Sequence, residues 1–528
     1  MSLIQLPADR FAAAGEAARV TLARRSRPGR QLHPLLHPAM PVLDGRRYGL
    51  PRWQLYLGTR GRRWIMAPWE QSVILIGRSG KGKTRRVIAP NVMLWPGSVV
   101  ATTTKRDLLD MVSACRTRRG VVWCWDPHEQ VGELPPGVRR LDYSLVAGCA
   151  DMSVARRRAR ALGTGISKGV SDGGLWEAAS VQLLSLLLHA AALRRLPDTA
   201  VRSWIAQQKL DEAARICAES GSSADAQDTL QGLQGSRAAK SIDSLWFQVG
   251  VMLAPLDSDP VRRSLARAGT SSWNPAAFLE RPNTLVMITP DNAQADLAPL
   301  AVSLLEDVRA AALRIADRTP GGALSVPLLL ALDECRNIAP IPALANLITT
   351  GRSRAIHVIA AFQHYRQAEH LWGAEAAGLI FSGVTSLFFS DCGDREVTTR
   401  LSELSDRHGV PQVTHNVSRS AEGPFARWRV WETSHTQTEH HGFVQMPVYS
   451  EAQIRNIPAT HAWVLMPGAP LGLIEVVDFE AVDPFARWAA MPPIVDTLSP
   501  VASDDEGPAE AADPQPVAGR SSSWWRNL

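Results

Sequence analysis

The chain has 528 residues, 45% of them hydrophobic and 20% charged, with a formal net charge of +6 at pH 7. That is an ordinary soluble globular composition, long enough for two or more domains around a sizeable core. Six cysteines (Cys115, Cys124, Cys149, Cys217, Cys335, Cys392) stand far apart without a CxxC pair; this excludes a disulfide framework or zinc ribbon and fits a reducing cytoplasm, and no apolar run reaches the roughly 18–20 residues of a membrane span or forms a signal-peptide core after Met1.

The first 66 residues hold twelve arginines against three acids (Asp9, Glu16, Asp44). Such a basic leader is drawn to phosphate on nucleic acid or on anionic lipid headgroups, or is a solvated basic face with no partner; charge alone does not choose. Strand–helix alternation follows. The spacing predicts strands over 73–76, 98–102 and 121–125 with a helix over 105–118, the rhythm of a parallel βαβ sheet. From about 151 to 267 helical periodicity dominates, over 154–162, 175–193, 201–219 and 239–253, and reads as an all-helical insertion. Alternation then resumes, with strands over 285–289, 328–332, 356–361 and 385–389 and helices over 297–315, 343–350, 369–381 and 396–405. Past 406 the pattern weakens to β-like stretches over 427–431, 462–466 and 474–478 around one short helix, which the Ser450-Glu451-Ala452-Gln453 capping box begins. The expected division is a leader over 1–66, an α/β domain in two parts over 67–165 and 271–490, an all-α domain over 166–270, and a polar, Pro- and Ala-rich tail over 491–528. The tail ends in Trp524-Trp525, either a docking peptide or an end without a role.

Chemistry concentrates at the ends of the predicted strands. Val73-Ile74-Leu75-Ile76 runs directly into Gly77-Arg78-Ser79-Gly80-Lys81-Gly82-Lys83-Thr84, a full GxxxxGK[ST] loop. A glycine-rich turn between strand and helix aims backbone N–H groups at one point and cradles nucleotide phosphates; Lys83 is expected on the β- and γ-phosphates of ATP or GTP and Thr84 on Mg²⁺. The continuous apolar run Leu328 to Leu332 ends in Asp333-Glu334. The expected roles are Mg²⁺ coordination for Asp333 and polarisation of the attacking water for Glu334. Arg352 follows Asp333 by nineteen residues, and Gln363 follows Arg352 by eleven. Gln363 ends a strand beside the Asp-Glu strand and points into the crevice. Arg352 either offsets its helix dipole or reaches a neighbouring subunit's nucleotide as an arginine finger, with Arg354 in reserve. His435, Glu439, His440 and His441 lack ligand spacing and read as a solvated, irregular loop.

Taken with Pro90-Asn91, Trp95-Pro96-Gly97, Ile338-Ala339-Pro340-Ile341-Pro342 and Gly351-Arg352, these motifs resemble the TraG/TraD-type coupling proteins of conjugation and type IV secretion over roughly residues 67–490. Trp125-Asp126-Pro127, Gly148-Cys149-Ala150-Asp151 and Trp273-Asn274-Pro275 resemble the actinobacterial branch. The resemblance implies a RecA-like P-loop ATPase interrupted by an all-α cargo domain, assembled as a hexamer that uses ATP and Mg²⁺ to deliver single-stranded DNA with its relaxase, or secreted proteins, to a type IV secretion channel. It also implies that Lys83 and Thr84 are the Walker A pair, Asp333 and Glu334 the Walker B pair, Arg352 the finger and Gln363 the sensor. Many members carry Asp-Pro-Lys-Gly-Glu after the second strand, where this chain has Thr103-Thr104-Lys105-Arg106-Asp107, and many begin with transmembrane helices. This chain shows no such helix, so it is expected in the cytoplasm, either peripheral at the inner face of the membrane, held by a separate anchor subunit with the basic leader helping at the bilayer, or working free. Two other readings stand beside it: a free FtsK-like translocase of double-stranded DNA, and a nucleotide-gated docking receptor for secreted proteins that pumps no DNA.

Overall fold

A computed structural model describes residues 22–24 and 54–492, with breaks at 62, 69–70, 164–172, 223–225, 227, 231, 233–238, 270–272, 342–343, 391–393, 406 and 421–433. Most of the basic leader, the 427–431 stretch and the tail from 493, with Trp524-Trp525, lie outside the described residues.

Fifteen strands are described: β1 (Leu22–Arg24), β2 (Tyr56–Arg60), β3 (Arg63–Met66), β4 (Val73–Ile76), β5 (Ser98–Thr103), β6 (Val122–Trp125), β7 (Val138–Arg140), β8 (Thr284–Ile288), β9 (Leu328–Leu332), β10 (Ile356–Phe362), β11 (Thr385–Phe389), β12 (Arg407–Ser420), β13 (Ser434–Pro447), β14 (His461–Leu465) and β15 (Gly472–Glu475). Thirteen form one sheet in the order β1-β3-β2-β15-β14-β11-β4-β10-β9-β5-β8-β6-β7. From β11 to β7 all pairings are parallel, and from β14 to β1 all are antiparallel. The fold is α/β with a mostly parallel central sheet, as the motif pattern predicts.

The parallel strands from β11 through β8 in the sheet order are buried on both faces because helices cover both sides, while β7 at the edge is half-buried. Along β4 the side chains alternate between two cores: Ile74 and Ile76 join one cluster, Val73 and Leu75 the other. Each such fully buried aliphatic side chain contributes about 2 kcal/mol. Between β7 and β8 the described elements are all helical, including Met152–Gly163, Gly173–Leu193, Asp198–Ala206, Asp211–Glu219, Ala239–Met252 and Asp259–Ala268. Among the described residues no helix is long and apolar enough to cross a membrane.

Four differences from the sequence reading are physical. The helix predicted over 201–219 divides where Gln208 adopts a positive φ of 53°. The one predicted over 369–381 becomes three short helices, Tyr365–Trp372, Ala374–Ala377 and Leu379–Ser382, broken at Gly373 with φ 85°. Residues 56–60 and 63–66, counted into the leader, are sheet strands whose buried Tyr56, Trp64 and Ile65 are hidden among arginines in a charge count. Finally, β12 and β13 pair antiparallel over fourteen positions as a separate two-stranded ribbon. His435, Glu439, His440 and His441 therefore lie on β13 and not in an irregular loop; their polar run lacks the apolar alternation that marks a strand with one buried face.

Several quoted motifs prove structural. Asn91 pairs with the β2 backbone, accepting from Tyr56 N at 2.7 Å and donating to Tyr56 O at 2.8 Å. Gly97 leaves no room for a side chain, since a Cβ there would lie 2.0 Å from the Pro327 carbonyl oxygen. Beneath it Arg116, fully buried, donates to the carbonyls of Trp95 (2.6 Å), Gly97 (2.7 Å) and Pro282 (3.0 Å). Burial lowers its pKa to about 9, and carbonyl dipoles stand in for a carboxylate. Asn274 caps Pro275–Leu279 through the N–H groups of Ala276 and Ala277.

His357 on β10 supplies a pH-sensitive element of stability. It is buried, its ring meets Trp95 edge-on at 5.0 Å between centroids, and among the described residues neither ring nitrogen meets a partner at hydrogen-bond geometry. Burial pushes its pKa down to about 4 from 6.5, against a weaker upward pull from the Gln71 backbone. The folded chain thus holds the neutral ring while the unfolded chain protonates below 6.5, so stability present above that pH is lost as pH falls toward 4, by roughly 3 kcal/mol over the whole span. Urea midpoints of His357→Leu are expected to fall less steeply between pH 6.5 and 4.5 than those of the parent. Parallel slopes would remove His357 from the account.

Candidate active site

Strand register brings the site together. Ile76 lies opposite Phe362, and Leu332 opposite Ala360. The turn after β4, Asp333-Glu334 after β9 and Gln363 after β10 therefore meet at the carboxyl edge of three adjacent parallel strands, where α/β sheets bind ligands.

In the phosphate-binding loop Gly80 and Gly82 take positive φ values of 76° and 78°, which turn successive N–H groups inward as an anion nest. Gly77 is packed against β11, where a Cβ would come within 2.7 Å of the Phe389 Cβ. Arg78, Ser79 and Gly80 are exposed at the tip, Lys81 and Gly82 are half-buried and Lys83 is buried. The Lys83 Nζ donates to Gly77 O at 2.5 Å and Arg78 O at 3.1 Å. Burial lowers its pKa, while the Asp333 and Glu334 carboxylates pull it back up. The helix beyond the loop opens with a π-turn over Thr84–Ile88 and is tied to the C-terminal segment by Arg86, which meets Asp478 at 3.0 Å.

Asp333 and Thr84 meet directly, the Thr84 hydroxyl donating to Asp333 Oδ2. Thr102 on β5 donates to Asp333 O at 2.9 Å, and Glu334 N donates to Asp333 Oδ1 at 3.1 Å. Burial raises the pKa of Asp333, opposed by the Thr84 hydrogen bond and the Lys83 charge. A hydroxyl and a carboxylate converging beside a phosphate cradle are the donor set that fits Mg²⁺ in P-loop sites. Glu334 adopts the left-handed region at φ 49°, a conformation costing a non-glycine residue about 1–3 kcal/mol and concentrated at functional sites. Gln363 Nε2 donates to Glu334 Oε1 at 3.4 Å. A residue the sequence reading missed, Gln294, donates from Nε2 to Glu334 Oε2 at 3.1 Å. It stands six residues past β8, behind Thr289, Asp291 and Asn292, so the rule that singled out Gln363, the residue immediately past its strand, does not reach it; only the fold brings it to Glu334.

Arg352 stands elsewhere. It lies in the turn Gly351–Arg354 before β10, exposed, at the amino edge of the sheet. The seven residues of β10, at about 3.3 Å each, put it roughly 20 Å from its own chain's phosphate loop. Arg354 is engaged with Asp317 at 3.1 Å. Lys105, past β5, is exposed.

A P-loop after β4 and an Asp-Glu pair after β9, two parallel strands separated only by β10, define the class as a nucleotide-binding protein of RecA-like fold. The family model for type IV secretory system conjugative DNA transfer matches residues 39–194, and that for the TraM recognition site of TraD and TraG matches 327–459. No match is found among curated proteins. Among solved structures, the unbound bacterial conjugative coupling protein TrwBdeltaN70 is similar at 16% identity over 86% of this chain and 95% of that one, with a TM-score of 0.55. The plasmid coupling protein TrwB in complex with ADP and Mg²⁺ matches at 16% identity over 86% and 96%, TM-score 0.55. TrwB with the non-hydrolysable ATP analogue ADPNP matches at 17% over 78% and 86%, TM-score 0.52. At these identities the structural likeness is one of fold. With both family models matched, the chain belongs to the coupling proteins of conjugation and type IV secretion.

Proposed function

We propose that the chain is an ATP-hydrolysing coupling protein that works as a hexamer and drives DNA with bound relaxase, or protein cargo, into a type IV secretion channel. The convergence of Lys83, Thr84, Asp333, Glu334 and Gln363 at one strand edge carries this reading. The fold shared with TrwB, solved with ADP and Mg²⁺, supports ATP and Mg²⁺ as the bound groups. Bound Mg²⁺ supplies charge neutralisation at the β- and γ-phosphate oxygens.

Lys83 leaves the loop carbonyls for the phosphates, and Thr84 and Asp333 hold the metal. Glu334 orients and polarises the attacking water, and Gln363 senses the γ-phosphate from the adjacent strand. Arg352, on the far edge of the sheet, serves the neighbouring subunit's site. The all-α segment over 166–270 receives cargo, and the chain sits at the inner face of the membrane through an anchor subunit.

ATP turnover titrated with single-stranded and double-stranded DNA tests the reading. Lys83→Ala is expected to abolish the DNA-stimulated rate. Preference for single strands supports conjugative coupling, and preference for duplex shifts the reading to an FtsK-like pump. A Lys83-dependent rate indifferent to either DNA overturns the DNA motor in favour of a protein-recruiting receptor.

A further inference from the structure

Two amides hold the Glu334 carboxylate, one on each oxygen. Gln363 takes Oε1 at 3.4 Å from the end of β10, and Gln294 takes Oε2 at 3.1 Å from the first residue of helix Gln294–Arg318. The same Gln294 Nε2 donates to Asp291 Oδ1 at 2.9 Å, so the amide itself is held before it holds Glu334. Glu334 has left-handed backbone, and its carbonyl accepts from Asn337 N at 2.9 Å and Ile338 N at 3.1 Å. The direction of its carboxylate therefore depends on partners such as Gln294, because an N–H donated to a carboxylate fixes its orientation as well as its energy.

The helix that carries Gln294 also reaches a different part of the molecule. Thirteen residues along, about 20 Å at 1.5 Å per residue, Asp307 is buried and ion-paired to Arg157 at 2.9 Å and Arg158 at 2.8 Å. Tyr143 donates to the same carboxylate at 2.9 Å and lies under the Arg158 guanidinium, 5.0 Å from ring centroid to Cζ. Both arginines belong to helix Met152–Gly163, which packs on Gly173–Leu193, the long helix of the all-helical region. A buried ion pair with these hydrogen bonds is stiff, since breaking one partner leaves a charge uncompensated.

We infer that Gln294 is a positioning residue for Glu334, and that helix Gln294–Arg318 links the all-helical region to that carboxylate through Asp307. The inference rests on the proposed ATPase role of Glu334. A shift of helix Met152–Gly163 is passed through Asp307 to the helix start, where it moves the amide on Oε2 and so gates hydrolysis without touching nucleotide.

Gln294→Ala and Gln294→Glu provide the test, with nucleotide affinity read from a fluorescent ATP analogue. Affinity is expected to stay within about twofold while kcat falls by about tenfold to a hundredfold, the range for losing a group that orients a catalytic one. Glu is expected to be the worse of the two, since an isosteric acceptor of like charge replaces a donor. A merely packing role reverses that order, with Glu near the parent, and overturns the assignment. For the link, Asp307→Asn and the milder Arg157→Gln are expected to lower kcat in the same direction with affinity kept; an unaltered kcat in folded Asp307→Asn overturns it. Amide exchange over 334–339, read without nucleotide, is expected to quicken in Gln294→Glu, and unchanged exchange overturns the positioning role. If the parent shows no Lys83-dependent turnover, the ATPase reading fails by itself, and exchange alone decides the positioning role.

Discussion

Glu334→Gln is expected to keep ATP bound and to lower turnover by about 10²- to 10³-fold, the scale of losing a positioned general base. In the proposed site the phosphates and metal would be held by other groups: the loop glycines, with Gly80 and Gly82 at positive φ, Lys83, and Thr84, which meets Asp333. Glu334 touches neither Thr84 nor the loop through any hydrogen bond among the described residues; its oxygens face Gln363 and Gln294. The substitution keeps size and shape, removes the charge proposed to polarise water, and leaves two amides facing a third. Equilibrium binding of a fluorescent ATP analogue beside steady-state phosphate release separates the two effects. Loss of binding together with turnover would move Glu334 from chemistry into the binding set.

The second large effect concerns Arg352. As a finger acting in trans, its replacement by Ala is expected to cost about 10³-fold or more. As a cation offsetting a helix dipole, it contributes about 0.3–1 kcal/mol to stability and nothing to turnover. Its place at the amino edge of the sheet, a full strand from its own loop, rules out service to its own site. Mixing decides the matter. Arg352→Ala and Glu334→Gln subunits are each expected to be near background, but in a one-to-one mixture about one quarter of the interfaces of a head-to-tail ring pair an intact Glu334 with a neighbour's intact Arg352. Recovery of turnover toward that fraction is the expected result. A silent mixture, with subunit exchange verified by a fluorescent label, would return Arg352 to the dipole role.

The phosphate loop, the Asp-Glu pair and Gln363 were legible in the sequence because each is a local event: an apolar run of strand length ends, and a residue with special backbone or charge follows it. The helical segment between β7 and β8 was legible for a similar reason, since a period of 3.6 survives within single helices. The β12–β13 ribbon was not, because polar residues run through it without the alternation that a half-buried strand shows. Nor were β2 and β3, whose few buried side chains are outnumbered by arginines around them.

By itself, then, the sequence determined which chemical groups this protein carries and that they stand at strand ends in a parallel sheet, because loop glycines, strand patterning and helix periodicity all act over a handful of neighbours. Only the tertiary structure decided which of those groups meet. Thr84 reaches Asp333 across 249 positions, Gln294 reaches Glu334 across 40, and Asp307 reaches Arg157 across 150. Those separations are bridged by strand order and register, which follow from how two apolar faces bury against their helices together, and no local stretch of chain contains that information.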